Sequence, residues 1–161
     1  YTVTSGRPTR GTLLLASSMF AACAGAPVVP STSATGATVR VERAVAWGLA
    51  SARSVSLGLS ASAVSNEGDA LDSVSSPGAK TMLHQTESGG GMATVGVLEA
   101  PAAGNLKLGP GRSHVMINQI DHAFAVGDSI DVTLYWRRGG SMHLRVPIVR
   151  FGDAANLLDA P

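Results

Sequence analysis

His114, Val115 and Met116 place an imidazole and a thioether two residues apart in the apolar run His-Val-Met-Ile. A run of this kind reads as a strand, and side chains at i and i+2 of a strand share a face. His114 and Met116 therefore point one way, Val115 and Ile117 the other. Thioether sulfur is a soft donor that selects Cu(I), and imidazole also suits copper. Twenty-one residues separate Met92 from His114, and His84 lies further upstream with Met82 two residues before it. Met82 and His84 share a face by the same period. The pattern points to copper carriage.

Each of these residues also has an ordinary reading. A methionine in a β protein is often core filler, and a histidine is often a hydrogen-bonded surface residue. On that reading the chain is a surface β-sandwich that binds or scaffolds a protein without copper. A copper scavenger that stores the metal would use the same residues as a carrier.

Other chemistries find less support. A blue-copper electron carrier needs a cysteine thiolate beside two histidines, and the single cysteine, Cys23, falls at a signal-like junction. Zinc prefers Cys, His and carboxylate. No Gly-x-Ser-x-Gly elbow is present. Gly89, Gly90 and Gly91 are not followed by a helical pattern and so form no phosphate cradle. Asp128 and Asp131 sit at a strand start and read as turn and solvent-face residues. His122 beside Asp121 reads as a turn residue. His143 alternates outward between Met142, a core candidate, and Leu144. The chain does not read as an enzyme.

The elements that must position these residues are strands. The 161 residues suffice for one domain with a core. Hydrophobic residues make up 45% but aromatics only 4%, so the core must be Val, Leu, Ile and Ala. Formal net charge is +1 and there is no basic run, which argues against nucleic acid as a partner. Alternation begins near Val39 and continues through Val55, Leu57, Leu59, Ala61 and Ala63. Residues 66–69 (NEGD) and Ser76-Pro77-Gly78 are turn signals. Further strands are expected over 80–87, 92–98, 105–108, 112–120, 130–136 and 142–149, with a hairpin loop over 137–141. Residues 44–51 could form one or two helical turns. Pro147 suits a strand end. Many short strands between turn signals predict an all-β antiparallel sandwich or barrel.

The N-terminal part reads differently. Arg7 and Arg10 flank the short apolar stretch TLLLASSMFAA over 12–22, a secretory signal pattern too short to span a bilayer. Phe20-Ala21-Ala22-Cys23 resembles a bacterial lipobox, which makes Cys23 the expected lipidated N-terminus of the mature chain. Removing 1–22 leaves ten basic against eleven acidic side chains, so lipid rather than charge would hold it to a membrane. The expected organisation is a signal peptide over 1–22, a tether rich in Ala, Gly, Pro and Ser over 23–37, a β domain over 38–152 and a tail over 153–161. The expected location is outside the cytoplasm, anchored to the cell membrane.

At this level of detail the chain resembles the periplasmic copper chaperones of the CuA-assembly type. The resemblance rests on Met92, 21 residues, then His114-x-Met116, with His84 upstream. Val74-Ser75-Ser76-Pro77 before the first histidine, the stretch 106–111, FAVGDSIDVTL over 124–134 and Val146-Pro147-Ile148 agree with it. Two features depart from the family pattern. Gln85 stands where many members have methionine, and only seven residues separate His84 from Met92. The resemblance implies a cupredoxin-like β-sandwich. It implies Cu(I) held by His84, Met92, His114 and Met116. Met82, two residues before His84 and on its face, is by position an auxiliary candidate outside that pattern. The resemblance also implies delivery to the CuA centre of a cytochrome c oxidase subunit, alongside Sco-like thioredoxin-fold partners.

Overall fold

Period-two alternation turns into strand almost wherever it holds. The computed structural model describes residues 32–160; Cys23, the expected leader and most of the expected tether lie outside the described residues. In chain order the strands are β1 (Thr32–Thr35), β2 (Val39–Leu49), β3 (Ser54–Ala63), β4 (Asp69–Ser75), β5 (Lys80–Thr86), β6 (Met92–Val95), β7 (Leu98–Ala100), β8 (Asn105–Leu108), β9 (His114–Asn118), β10 (Ser129–Trp136) and β11 (Gly140–Val149). A short helix, α1 (Phe151–Asp159), closes the described chain.

The strands form a continuous path, β6-β5-β9-β3-β2-β11-β10-β4-β7, with β1 added on β2 and β8 on β3. Its two ends, β6 and β7, are consecutive in sequence and separated only by Gly96 and Val97. The path therefore wraps back on itself as a barrel-like sandwich, and the all-β expectation holds. The run expected over 92–98 is split at this corner: β6 pairs with β5 on one side, β7 with β4 on the other. β11 belongs to both halves. Its length pairs antiparallel with β10, while Ile148 and Val149 pair in parallel with Ala46 and Trp47 of β2. That short parallel contact departs from a wholly antiparallel sandwich. Pro147 pairs with Ser129, the last rung of the β10–β11 ladder, where the missing N–H of proline is tolerated.

Three expectations are corrected. Residues 44–49 are not helical but the second half of β2; only Ala50–Ala52 form a 3-10 turn. The tether expected over 23–37 ends in β1, which pairs with β2. The tail expected over 153–161 lies largely in α1.

The main core fills the space between the two halves and includes Val41, Leu57, Leu59, Ile117, Val132, Leu134 and Val146, with Met142 at its margin as expected. A second, smaller cluster lies on the opposite face of β2. There Ala154 and Leu158, four residues apart on one face of α1, cover Val45, Trp47 and Val149. Burying Leu158 stabilises by about 2 kcal/mol. Gly58 makes this contact possible: a Cβ there would lie 2.7 Å from the Leu158 methyl and 2.8 Å from the Trp47 ring. The helix thus covers part of the outer face of the β2–β3–β9–β5–β6 layer and leaves the rest open.

Candidate metal centre

The open part of that outer face carries the residues singled out in the sequence. β5 and β9 run antiparallel with Met82 opposite Met116, Leu83 opposite Val115 and His84 opposite His114. Leu83, Val115 and Ile117 point into the main core. The alternation then requires Met82, His84, His114 and Met116 to point outward together. Two adjacent rungs result, one of two histidines and one of two methionines. Apolar packing on the inner face fixes this register, because a one-residue slip would turn Leu83 and Val115 to solvent.

The two imidazoles are close: their centroids lie 5.5 Å apart with the rings nearly edge to face. His114 Nδ1 is 2.9 Å from the Arg112 carbonyl oxygen. A carbonyl can only accept, so Nδ1 is the donor, and the tautomer that this bond favours leaves the lone pair on Nε2. A backbone carbonyl on the far nitrogen is a common way of orienting a metal-binding imidazole. Trp47 tilts against the other side of the ring, with centroids 6.3 Å apart. Arg112 is itself tied to α1 by two parallel bonds to Asp159, of 2.9 and 3.0 Å. His84 is partly covered, and burial, together with the nearby His114, holds its pKa below the ordinary 6.5. It is therefore neutral, and able to donate a lone pair, at neutral pH.

Hydroxyl groups meet two of the sulfurs. Ser56 on β3, opposite Met116 in the register, donates to the Met116 sulfur at 3.2 Å. Thr86 Oγ1 donates to the Met92 sulfur at 3.3 Å. Each bond is weak and occupies one of the sulfur's lone pairs.

Met92 lies on the same face but not on the same rungs. It pairs with Thr86 on edge strand β6, one rung past His84 and on the side away from Met116. Met82 and Met92 are the exposed methionines of the face, at 41% and 44% accessibility. The other histidines lie elsewhere. His122 bonds its neighbour Asp121. His143 projects outward opposite Thr133 in the β10–β11 ladder, 3.6 Å from Asp131. Among the described residues no group of three or more His, Cys, Asp or Glu converges as for a hard or borderline metal. The donors here are two imidazoles and three thioethers, a soft set.

Trp47, Ser56, Thr86 and Arg112 belong to this surface and were not foreseen. Ser56 could have been placed on the outer face from the alternation of Ser54, Ser56 and Ser60 with Val55, Leu57 and Leu59. Its neighbour Met116, sixty residues away, is fixed only by strand pairing.

A family model described as "Putative lipoprotein LpqE-like" matches residues 30–148. No curated protein matches the chain. Among solved structures, the copper-bound PCuAC domain from PmoF2 is similar at 17% identity with a TM-score of 0.66, covering 74% of this chain and 98% of that domain. The Cu(I) form of DR1885 from Deinococcus radiodurans is 25% identical with a TM-score of 0.56, covering 66% of this chain and 74% of that one. Its apo form, 24% identical, covers 93% and 95% with a TM-score of 0.57. The resemblance drawn from His84, Met92 and His114-x-Met116 is thus matched by a shared fold.

Proposed function

The chain belongs to the LpqE-like family, and from that premise we propose that it is a Cu(I) carrier acting outside the cytoplasm. The observation that carries this reading is the pair of adjacent outward rungs, His84 with His114 and Met82 with Met116, on the antiparallel β5–β9 ladder. His84, His114 and Met116 supply donors there, and a second thioether comes from Met92 or Met82. The similarity to the copper-bound PmoF2 domain and to the Cu(I) form of DR1885 supports the reading.

The set suits carriage. Thioethers are neutral and comparatively weak donors, so an ion held by them can leave by ligand exchange with a partner. The patch is at the surface, where a partner's ligands can reach the ion before all of the chain's own have let go. The recipient we propose is the CuA centre of a cytochrome c oxidase subunit, with a Sco-like thioredoxin-fold protein in the same route. A lipid on Cys23 would hold the chain at the membrane; among the described residues no helix is long and apolar enough to cross one.

Competitive titration against a chromogenic Cu(I) chelator tests the site. The parent is expected to take one Cu(I), and His114→Ala or Met116→Ala to lose most of that affinity. Equal affinity in parent and variants would overturn the assignment. Transfer of the bound ion to an apo CuA domain separates a carrier from a scavenger. Mass spectrometry of the mature N-terminus is expected to find acylated Cys23.

A further inference from the structure

The structure contains three outward methionines around one histidine pair, and their positions in the register are not equivalent. His84 and His114 face each other, as do Met82 and Met116. Direct cross-strand neighbours have Cβ atoms about 4.5–5.5 Å apart, and diagonal ones about 7–8 Å. Residues two apart on one strand lie about 6.8 Å apart. Every member of the His84, His114, Met82, Met116 square is therefore within about 8 Å of every other. An unbranched thioether on three rotatable bonds closes such a gap readily.

Met92 is placed otherwise. It stands opposite Thr86, and the order of rungs along β5 is Thr86, His84, Met82. Met92 and Met116 are thus two rungs and two strands apart. With about 6.8 Å per rung and about 4.8 Å per strand, their backbones lie roughly 16 Å from each other. One ion cannot be shared across that span without moving β6 off β5.

Packing gives no reason for Met82. Its side chain is exposed, whereas methionine as filler belongs inside a core. An exposed methionine directly across from Met116 and beside two imidazoles is placed as a soft-metal donor.

Resting on the copper reading above, we propose that His84, His114, Met82 and Met116 are the four Cu(I) ligands of the resting carrier, with Met82 and not Met92 completing the site. The ion then sits over the middle of the β5–β9 ladder, flanked by Trp47 and by the end of α1. The short loop before Met92 follows from this: with Met82 as the fourth donor, the hairpin need not reach across the histidines.

Copper K-edge X-ray absorption and the chelator titration, run on the full folded chain and its variants, test this. The parent is expected to show two nitrogen and two sulfur donors. Met82→Leu, a change of similar volume at an exposed position, is expected to lose one sulfur and at least tenfold in affinity. Met92→Leu is expected to keep both sulfurs and to change affinity less than Met82→Leu does. The reverse pattern, with a sulfur lost in Met92→Leu and none in Met82→Leu, would overturn the assignment while leaving copper carriage intact. A parent that binds no Cu(I) would instead overturn the function itself, and this site with it. Unchanged thermal unfolding of both apo variants excludes a folding defect as the cause.

Discussion

Asp69 and His114 are polar residues on strands of one sandwich, but their surroundings treat them in opposite ways. Asp69 opens β4 at 6% accessibility. Its carboxylate accepts from the Thr38 hydroxyl and from the backbone N–H groups of Ala70, Arg138 and Gly139 at 2.7, 3.0 and 2.9 Å. Burial pushes its pKa up, and the four hydrogen bonds outweigh that, leaving it below the usual carboxylate value. Its acceptor capacity is used up, so it locks the β10–β11 turn to the start of β4. On the outer face of β5 and β9, by contrast, His114 uses one nitrogen on a carbonyl and keeps the other, and Met116 receives one weak hydroxyl bond. A saturated group builds structure; a group left with a lone pair and held in place can take a ligand.

That contrast predicts separable losses. Asp69→Ala is expected to show the largest effect, about 3 kcal/mol of stability, since it removes a charged acceptor from the buried N–H of Ala70 and from the part-buried N–H groups of Arg138 and Gly139. Copper affinity of the folded fraction should not change. Urea denaturation and the chelator titration, run side by side, measure both; a loss of affinity without a loss of stability would break the comparison. Acid sharpens it. Because the folded pKa of Asp69 lies below its unfolded value, its stabilisation is complete above about pH 4 and is lost as pH falls through the lower folded value. The parent should therefore lose more stability below pH 4 than Asp69→Ala does.

His114→Ala should do the converse. An at least thirtyfold loss of Cu(I) affinity, about 2 kcal/mol, is expected, with a change in unfolding midpoint of no more than a few degrees. The ring is only partly buried and packs on Trp47 from one side. If stability fell as far as in Asp69→Ala, His114 would be a structural residue and the contrast would fail.

How far the sequence discloses these two regions depends on the range of the interactions that make them. The His114-x-Met116 face is legible because period two is local. So is the β10–β11 hairpin, where Val132, Leu134, Leu144 and Val146 alternate against a polar loop. The second half of β2 is not, for a physical reason. Ala44 and Ala46 face the main core while Val45 and Trp47 are covered by α1. A strand buried on both faces shows no alternation, and its small residues imitate a helix. α1 escapes notice because it buries only Ala154 and Leu158. That Met82 faces Met116, and that Asp69 reaches Arg138, are long-range pairings with no local trace in the chain.

A smaller effect is expected at Ser56. Its hydroxyl fixes the Met116 sulfur toward β3. Ser56→Ala removes a weak bond to an uncharged acceptor, for which about 0.5 kcal/mol is expected. The sulfur gains freedom, so copper affinity should shift by no more than about twofold, the counterpart of that energy. A tenfold change in the titration would mean that the hydroxyl orients the thioether far more strongly than its chemistry allows.

The finest test is the titration of His84, followed by the NMR shifts of its ring protons. Burial is the larger cause of its lowered pKa and His114 the smaller. The midpoint is expected below 6.5. His114→Ala should move it part of the way back, since the burial remains while the neighbouring ring is gone. The sign for stability follows. As pH falls below about 6.5, the unfolded chain takes up the proton first, so the apo fold weakens until the lower folded pKa is passed. At the proposed copper site the ion would compete with a proton for the same lone pair, and a depressed pKa would let His84 hold it further into mild acid than a free imidazole could. A midpoint unmoved by His114→Ala would show that the two rings, 5.5 Å apart, do not sense each other's charge, and would remove the electrostatic half of the argument that they form one site.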